Sequence, residues 1–196
     1  MNILVIKSSV FGDNGNSSSL VNSQLAALQA QHPDATVVVR DLSTDPIPHL
    51  DGERVGAFFT PADQRSDDQQ AVDAFSMALI DELKTADHIV LGLPMYNFGI
   101  PSQLKSWIDH VARAGITFRY TENGPQGLLD DKPVTVLAAR GGLYAGTEND
   151  TVTPYIKLFC GFIGMTDVNF VYAEGLNMGD ETKEKAMSEA QAALAG

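Results

Sequence analysis

The chain has 196 residues, of which 44% are hydrophobic and 19% charged. That length suits one domain with a single large core, and the composition excludes disorder and low complexity. A formal net charge of −12 argues against nucleic acid or an anionic membrane as the main partner, so an anionic ligand would need a local positive field. The single cysteine, Cys160, sits in the apolar run Leu158-Phe159-Cys160-Gly161-Phe162 and permits no intrachain disulfide. His32, His49, His88 and His110 show no metal-ligand spacing, so no metal is expected.

In chain order, the run Asn2 to Lys7 reads as a buried strand that starts almost at the first residue. It is too short and too quickly followed by Lys7 and two serines for a signal peptide. A serine-rich loop follows, then a helix marked by Val21, Leu25 and Leu28. Thr36 to Arg40 predicts the second strand. Asp41 to Asp67 is a long connection with Pro46, Pro48, Pro61 and the pair Phe58-Phe59, which reads as exposed. Val72, Phe75, Leu79 and Leu83 mark a helix whose carboxylates Asp67, Asp68, Asp81 and Glu82 read as a solvated face. His88 to Leu93 is the third strand, and Leu104, Trp107, Ile108 and Val111 mark the helix after it. Gly115 to Lys132 is a second long connection, followed by a strand at Pro133 to Ala139. Tyr155, Leu158, Phe159 and Phe162 give a helical stripe, Val168 to Tyr172 a fifth strand, and Ala186, Ala190, Ala193 and Leu194 a last helix.

Near-continuous apolar strands alternating with helices imply a parallel sheet covered on both faces. The expectation is a single α/β domain over residues 1–196, a three-layer sandwich whose five-stranded sheet has the flavodoxin-like order 2-1-3-4-5. No run of 18 apolar residues occurs, so no transmembrane helix is expected, and the protein reads as cytoplasmic.

In this topology ligands bind beyond the C-terminal strand ends, at the switch between strands 1 and 3. The loop Ser8 to Ser19 carries hydroxyls and glycines into a helix start. It suits a phosphate held by free amides and Ser/Asn side chains, although plain serine capping is the alternative. It contains neither G-x-x-x-x-G-K-[ST] nor G-x-G-x-x-G. The loop Pro94-Met95-Tyr96-Asn97-Phe98-Gly99-Ile100-Pro101 puts aromatics and a methionine directly after a buried strand, where a flat heteroaromatic ring could pack; aromatics filling core is the alternative. Ala139-Arg140-Gly141-Gly142-Leu143-Tyr144 offers paired glycines and a nest of amides, or simply a flexible turn. No G-x-S-x-G or Ser-His-Asp pattern appears.

With these loops in view, the sequence resembles the FMN-dependent NADH-azoreductases over nearly its whole length. The resemblance is carried by Leu4 to Ser9, Arg40-Asp41-Leu42, Pro46-Ile47-Pro48, Leu50 to Glu53, Met95 to Phe98, Val111 to Gly124, Arg140-Gly141-Gly142 and Gly161 to Gly164. It implies a homodimer with one FMN per subunit and NADH or NADPH as electron donor. Ser9 with Gly15, Asn16 and Ser17 would hold the phosphate. Met95, Tyr96, Asn97 and Phe98 would line the ring and ribityl chain, and Ala139, Arg140, Gly141 and Gly142 the pyrimidine edge. Tyr120 and Phe162 would flank the substrate space. Family members commonly show Ser-x-Ser where Gly15-Asn16-Ser17 stands here, and a serine in place of Ala139.

The implied reaction is ping-pong: NAD(P)H gives hydride to the flavin and leaves, and a quinone or azo compound takes the electrons. No catalytic side chain is then expected, because the cofactor carries the redox chemistry. A non-enzymatic flavodoxin-type electron carrier is the alternative, and a flavin-free α/β binding module is another. The two long connections favour the enzyme, since a carrier needs no substrate cavity.

Overall fold

The five apolar runs become the strands of one parallel sheet in a computed structural model that describes residues 1–194. These are β1 (Asn2–Lys7), β2 (Thr36–Asp41), β3 (His88–Pro94), β6 (Val134–Ala139) and β7 (Val168–Ala173), in the order β2-β1-β3-β6-β7. β4 (Phe118–Thr121) and β5 (Gly124–Gly127) form a separate antiparallel hairpin. With the hairpin set aside, the sheet has the expected 2-1-3-4-5 order.

Side chains alternate across each strand, and this divides the core in two. Leu4 and Ile6 of β1 pack with Leu91 of β3 toward Leu79 and Leu83 of α3 (Asp67–Thr85), Trp107 of α4 (Ser102–Val111) and Ile156 of α5 (Val152–Ile163). Ile3 and Val5 face the other way, with Val90 and Leu137, onto Leu20 and Val21 of α1 (Asn16–Gln31) and Ala190 of α6 (Asp180–Leu194). Burial on both faces is why β1, β3 and β6 read as unbroken apolar runs, whereas β2, at the sheet edge, leaves Val38 and Val39 exposed. No helix among the described residues is long and apolar enough to cross a membrane.

The two long connections are built elements. Asp41 to Asp67 contains α2 (Gly52–Phe59), N-capped by Asp51, whose side chain accepts from Arg54 N at 2.9 Å. Phe58 is half-buried rather than exposed: the Arg113 guanidinium lies 3.7 Å from its ring centroid. Arg113 itself is fixed by Asp73 at 2.6 Å and Ser76 at 2.8 Å. Phe59, by contrast, is 79% exposed. His110 Nε2 donates to the Pro48 carbonyl at 3.0 Å, and Ser106 Oγ meets His49 Nδ1 at 2.9 Å, so two histidines tie this excursion to α4. Burial pushes the His110 imidazole below its ordinary value, which suits the neutral donor seen there. The hairpin packs on the end of α5, where a Cβ on Gly127 would fall 2.2 Å from Gly164 N; only glycine lets the two backbones come that close.

Three further expectations are corrected. Glu82 is not part of a solvated face, since it pairs with Arg40 of β2. On α5 the buried face is Val152, Ile156, Cys160 and Ile163, while Leu158 of the Tyr155-Leu158-Phe159-Phe162 stripe is 73% exposed. This helix is apolar on two faces, so side-chain spacing alone does not select the one turned inward. On α6, Ala193 faces solvent while Ala190 is buried.

Cys160 is buried, and burial pushes its thiol up to about 12. Thiolate is the reactive form, so native protein at neutral pH is expected to resist iodoacetamide and to be alkylated only after denaturation. Stoichiometric labelling of folded protein, read by mass, would contradict this.

Candidate functional site

The C-terminal ends of β1, β3 and β6 bring the three unusual loops together. A cleft of about 520 Å³, counting its open mouth, is lined by Ser9, Gly15, Asn16 and Ser17 from the first loop and by Met95 and Tyr96 from the second. Ala139, Arg140 and Gly141 close it from the third. It opens into a wider hollow of about 780 Å³ bounded by Met95, Asn97, Phe98, Gly141 and Gly142. All twelve residues expected to bind the cofactor thus border one or other of these two neighbouring hollows, which share Met95, Gly141 and Asn177.

Tyr120 and Phe162 do not. They meet at Phe118, whose ring centroid lies 5.6 Å from Tyr120 and 4.2 Å from Phe162, and they line neither hollow.

The narrow end has the groups that suit an anion. Ser19 N donates to Gly15 O at 3.0 Å, so the amides of Asn16, Ser17 and Ser18 precede the first closed turn of α1 and lack helical acceptors. The hydroxyls of Ser17 and Ser18 are buried and have no hydrogen-bond partner. A buried hydroxyl without a partner costs free energy, and that of Ser17, which lines the cleft beside free amides at a helix N-terminus, fits a phosphate. No acidic residue stands in the first turn of α1.

The second loop makes a tight turn. Tyr96 and Gly99 exchange backbone hydrogen bonds of 3.0 and 2.9 Å, which places Asn97 and Phe98 in left-handed backbone with φ of 50° and 61°. Two consecutive non-glycine residues in that region store strain. Their amides donate to no protein acceptor among the described residues. Thr151 Oγ1 donates to the Phe98 carbonyl, and Phe98 meets Tyr144 edge to face at 5.6 Å.

The third loop is held from behind. Arg140 is 1% exposed, and its guanidinium reaches inward to Asp150 at 2.9 Å, Thr153 at 2.7 Å and Glu174 at 3.3 Å. Only its backbone can meet a ligand. Burial raises the Asp150 carboxyl, but hydrogen bonds from Arg140 and Thr153 outweigh that and hold it below the ordinary value. The Glu174 carboxylate also accepts from Tyr144 N and Ala145 N, both at 2.8 Å. The Gly141 and Gly142 amides are left without protein acceptors among the described residues.

The family model for the flavodoxin-like fold matches residues 1–196. The chain is 82% identical, over 99% of its length and 98% of the relative's, to an FMN-dependent NADH:quinone oxidoreductase of Alcanivorax borkumensis. The chain belongs to that family. Two solved structures match its fold throughout. Azoreductase AzrA superposes with a TM-score of 0.90 at 29% identity, covering 100% of this chain and 97% of that one. An FMN-dependent NADH-azoreductase from Bacillus anthracis, solved in complex with FMN, gives 0.88 at 27% identity, covering 99% and 97%.

Five cleft residues escaped the sequence reading. Phe11, Pro94 and Tyr144 lie inside the loops it singled out. Leu176 and Asn177 follow β7, outside the loops that flank the switch point, and no motif marks them.

Proposed function

We propose that this chain is an FMN-dependent NAD(P)H oxidoreductase that reduces quinones and azo compounds, with one FMN per subunit. The observation that carries the reading is the buried, unpartnered hydroxyl of Ser17, beside free amides at a helix N-terminus that lines a cleft. FMN, when bound, supplies the two-electron hydride exchange, and no side-chain nucleophile is needed. Ser9, Gly15, Asn16 and Ser17 hold the phosphate. Met95, Tyr96, Asn97 and Phe98 cradle the ring and ribityl chain. Ala139, Arg140, Gly141 and Gly142 present backbone to the pyrimidine edge, where the two free glycine amides favour negative charge. The wide hollow beyond admits donor and acceptor in turn, which makes the kinetics ping-pong. Purified protein should be yellow, release a cofactor with the mass of FMN, and consume NADH continuously with a quinone and no added reductase. Colourless protein that retains no added FMN, or flavin release as FAD, would reject this reading.

The enzyme acts as a single domain over residues 1–196, in the cytoplasm, as a homodimer. Leu158 is 73% exposed and Tyr120 75%, with half-buried Tyr155, Phe159 and Phe162 around them. A partner that covers this face brings Tyr120 and Phe162 to the substrate space of a site. Leu158→Asp is expected to shift the mass seen by light scattering from twice 21.0 kDa toward 21.0 kDa and to lower quinone reduction. Full activity of the parent at the single-chain mass would overturn this assembly.

Tyr96→Ala should weaken FMN retention while leaving the melting temperature of FMN-free protein nearly unchanged. Tyr96 is half-buried and lines the cleft, and packing against a ring is worth ~0.5–1.5 kcal/mol beyond the buried area. Unchanged FMN affinity would make Tyr96 core filler.

A further inference from the structure

The two glycines of the third loop are not at positive φ, so their backbone is open to any residue. The space their side chains would take is occupied. A Cβ on Gly141 would fall 2.6 Å from Asn177 Nδ2, and one on Gly142 would fall 2.8 Å from Tyr144 Oη. Asn177 comes from the segment after β7 and Tyr144 from the third loop itself, and both border the wider hollow. Their backbones are anchored. Asn177 N donates to the Gly141 carbonyl at 3.0 Å and Tyr144 N to Glu174 Oε1 at 2.8 Å, while the Tyr144 ring meets Phe98 edge to face at 5.6 Å. Among the described residues the hydrogen bonds of Asn177 and Tyr144 run through their backbones. The carboxamide and the phenol are thus free to bond a ligand. Met95 and Phe98 add apolar wall, and no charged side chain lines this hollow among the described residues.

We infer that Asn177 and Tyr144 recognise the electron acceptor by hydrogen-bonding a carbonyl oxygen. A neutral, flat ring that carries carbonyl oxygens fits an apolar wall with two uncharged donors, and a quinone is such a ring. An azo compound without oxygen substituents can use the wall but brings no carbonyl. Hydrogen-bonding groups left unpaired beneath the wrong ligand oppose its binding, so the pair favours quinones over oxygen-free azo compounds. This inference rests on the oxidoreductase reading above and names the acceptor class of that same site.

The test uses FMN-loaded protein without NADH, titrated with naphthoquinone and with dimethylaminoazobenzene and read by the flavin absorbance, so that binding is seen without turnover. Tyr144→Phe removes only the hydroxyl, and Asn177→Leu keeps the bulk of the carboxamide without its hydrogen bonds. Each is expected to weaken naphthoquinone roughly three- to tenfold relative to the azo dye, the scale of one neutral hydrogen bond. In turnover with NADH, each should raise KM for the quinone more than it lowers kcat. FMN affinity, titrated on stripped protein, should change by less than that factor, and melting curves report folding. Asn177→Ala takes the place of Asn177→Leu should the leucine variant not fold. An unchanged quinone-to-azo ratio in one variant removes that residue from the role, and in both it overturns the inference. A loss of FMN affinity as large as the loss for the quinone also overturns it, by placing the two side chains on the cofactor. All of these leave the functional reading standing. A parent that binds no FMN, or that reduces neither compound, overturns that reading and this inference with it.

Discussion

Arg140→Met should destabilise the fold by about 3–5 kcal/mol, the cost of breaking a buried ion pair from one side. The arginine is 1% exposed and its partner Asp150 8%. Removing the guanidinium leaves the Asp150 carboxylate, the Thr153 hydroxyl and the Glu174 carboxylate short of a donor in a dry setting. The loss also carries a pH signature. The parent's Asp150 carboxyl is held below its ordinary 3.8. A depressed carboxyl contributes stability that is present above that value and is lost as pH falls through the folded-state value. Parent and variant should therefore differ most at neutral pH and converge in strong acid. Urea titrations at several pH values read this directly. A variant as stable as the parent at pH 7 would mean that water reaches Asp150 and that Arg140 is not a structural keystone of the third loop.

Asn97→Val should slow hydride transfer from NADH about 100-fold in FMN-saturated protein, the scale set by small displacements of a reacting centre. Asn97 and Phe98 lie in left-handed backbone with φ of 50° and 61°. Asparagine tolerates that region, whereas a β-branched residue is forced out of it at a cost of ~1–3 kcal/mol. Once the turn opens, residues 97 and 98, whose amides have no protein acceptor among the described residues, lose their place at the wider hollow. Asn97→Gly keeps the backbone conformation and discards the side chain. Stopped-flow rates near the parent's in Asn97→Gly, beside the collapse in Asn97→Val, would assign the role to the backbone. Equal losses in both would assign it to the Asn97 amide side chain, and a parent-like rate in Asn97→Val would remove the turn from the chemistry.

How much of this is legible in the sequence depends on the range of the interaction. The strands were readable because burial on both sheet faces leaves an apolar run that needs no partner to be recognised, as in Asn2 to Lys7 and His88 to Leu93. The cleft was readable as three loops because the switch-point rule converts strand order into location, and the twelve expected residues border two neighbouring hollows there. Interactions across long separations were not readable. Glu82 belongs with Arg40, 42 positions away, and Phe58 lies under Arg113. Nothing local in either segment announces such a pairing. The left-handed turn at Asn97 and Phe98 is equally silent, since it is imposed by Tyr96 and Gly99 closing on each other and by Thr151 from another loop. Which face of α5 turns inward was settled only by packing, because both of its faces are apolar and hydrophobic burial has no direction until a partner surface supplies one. Sequence alone thus determined the sheet, its order and the place of the cleft, through local pattern and chain connectivity. Tertiary contact decided what shapes the cleft wall: the buried Arg140 behind the third loop and the strained turn at Asn97 and Phe98, because both rest on partners far apart in the chain.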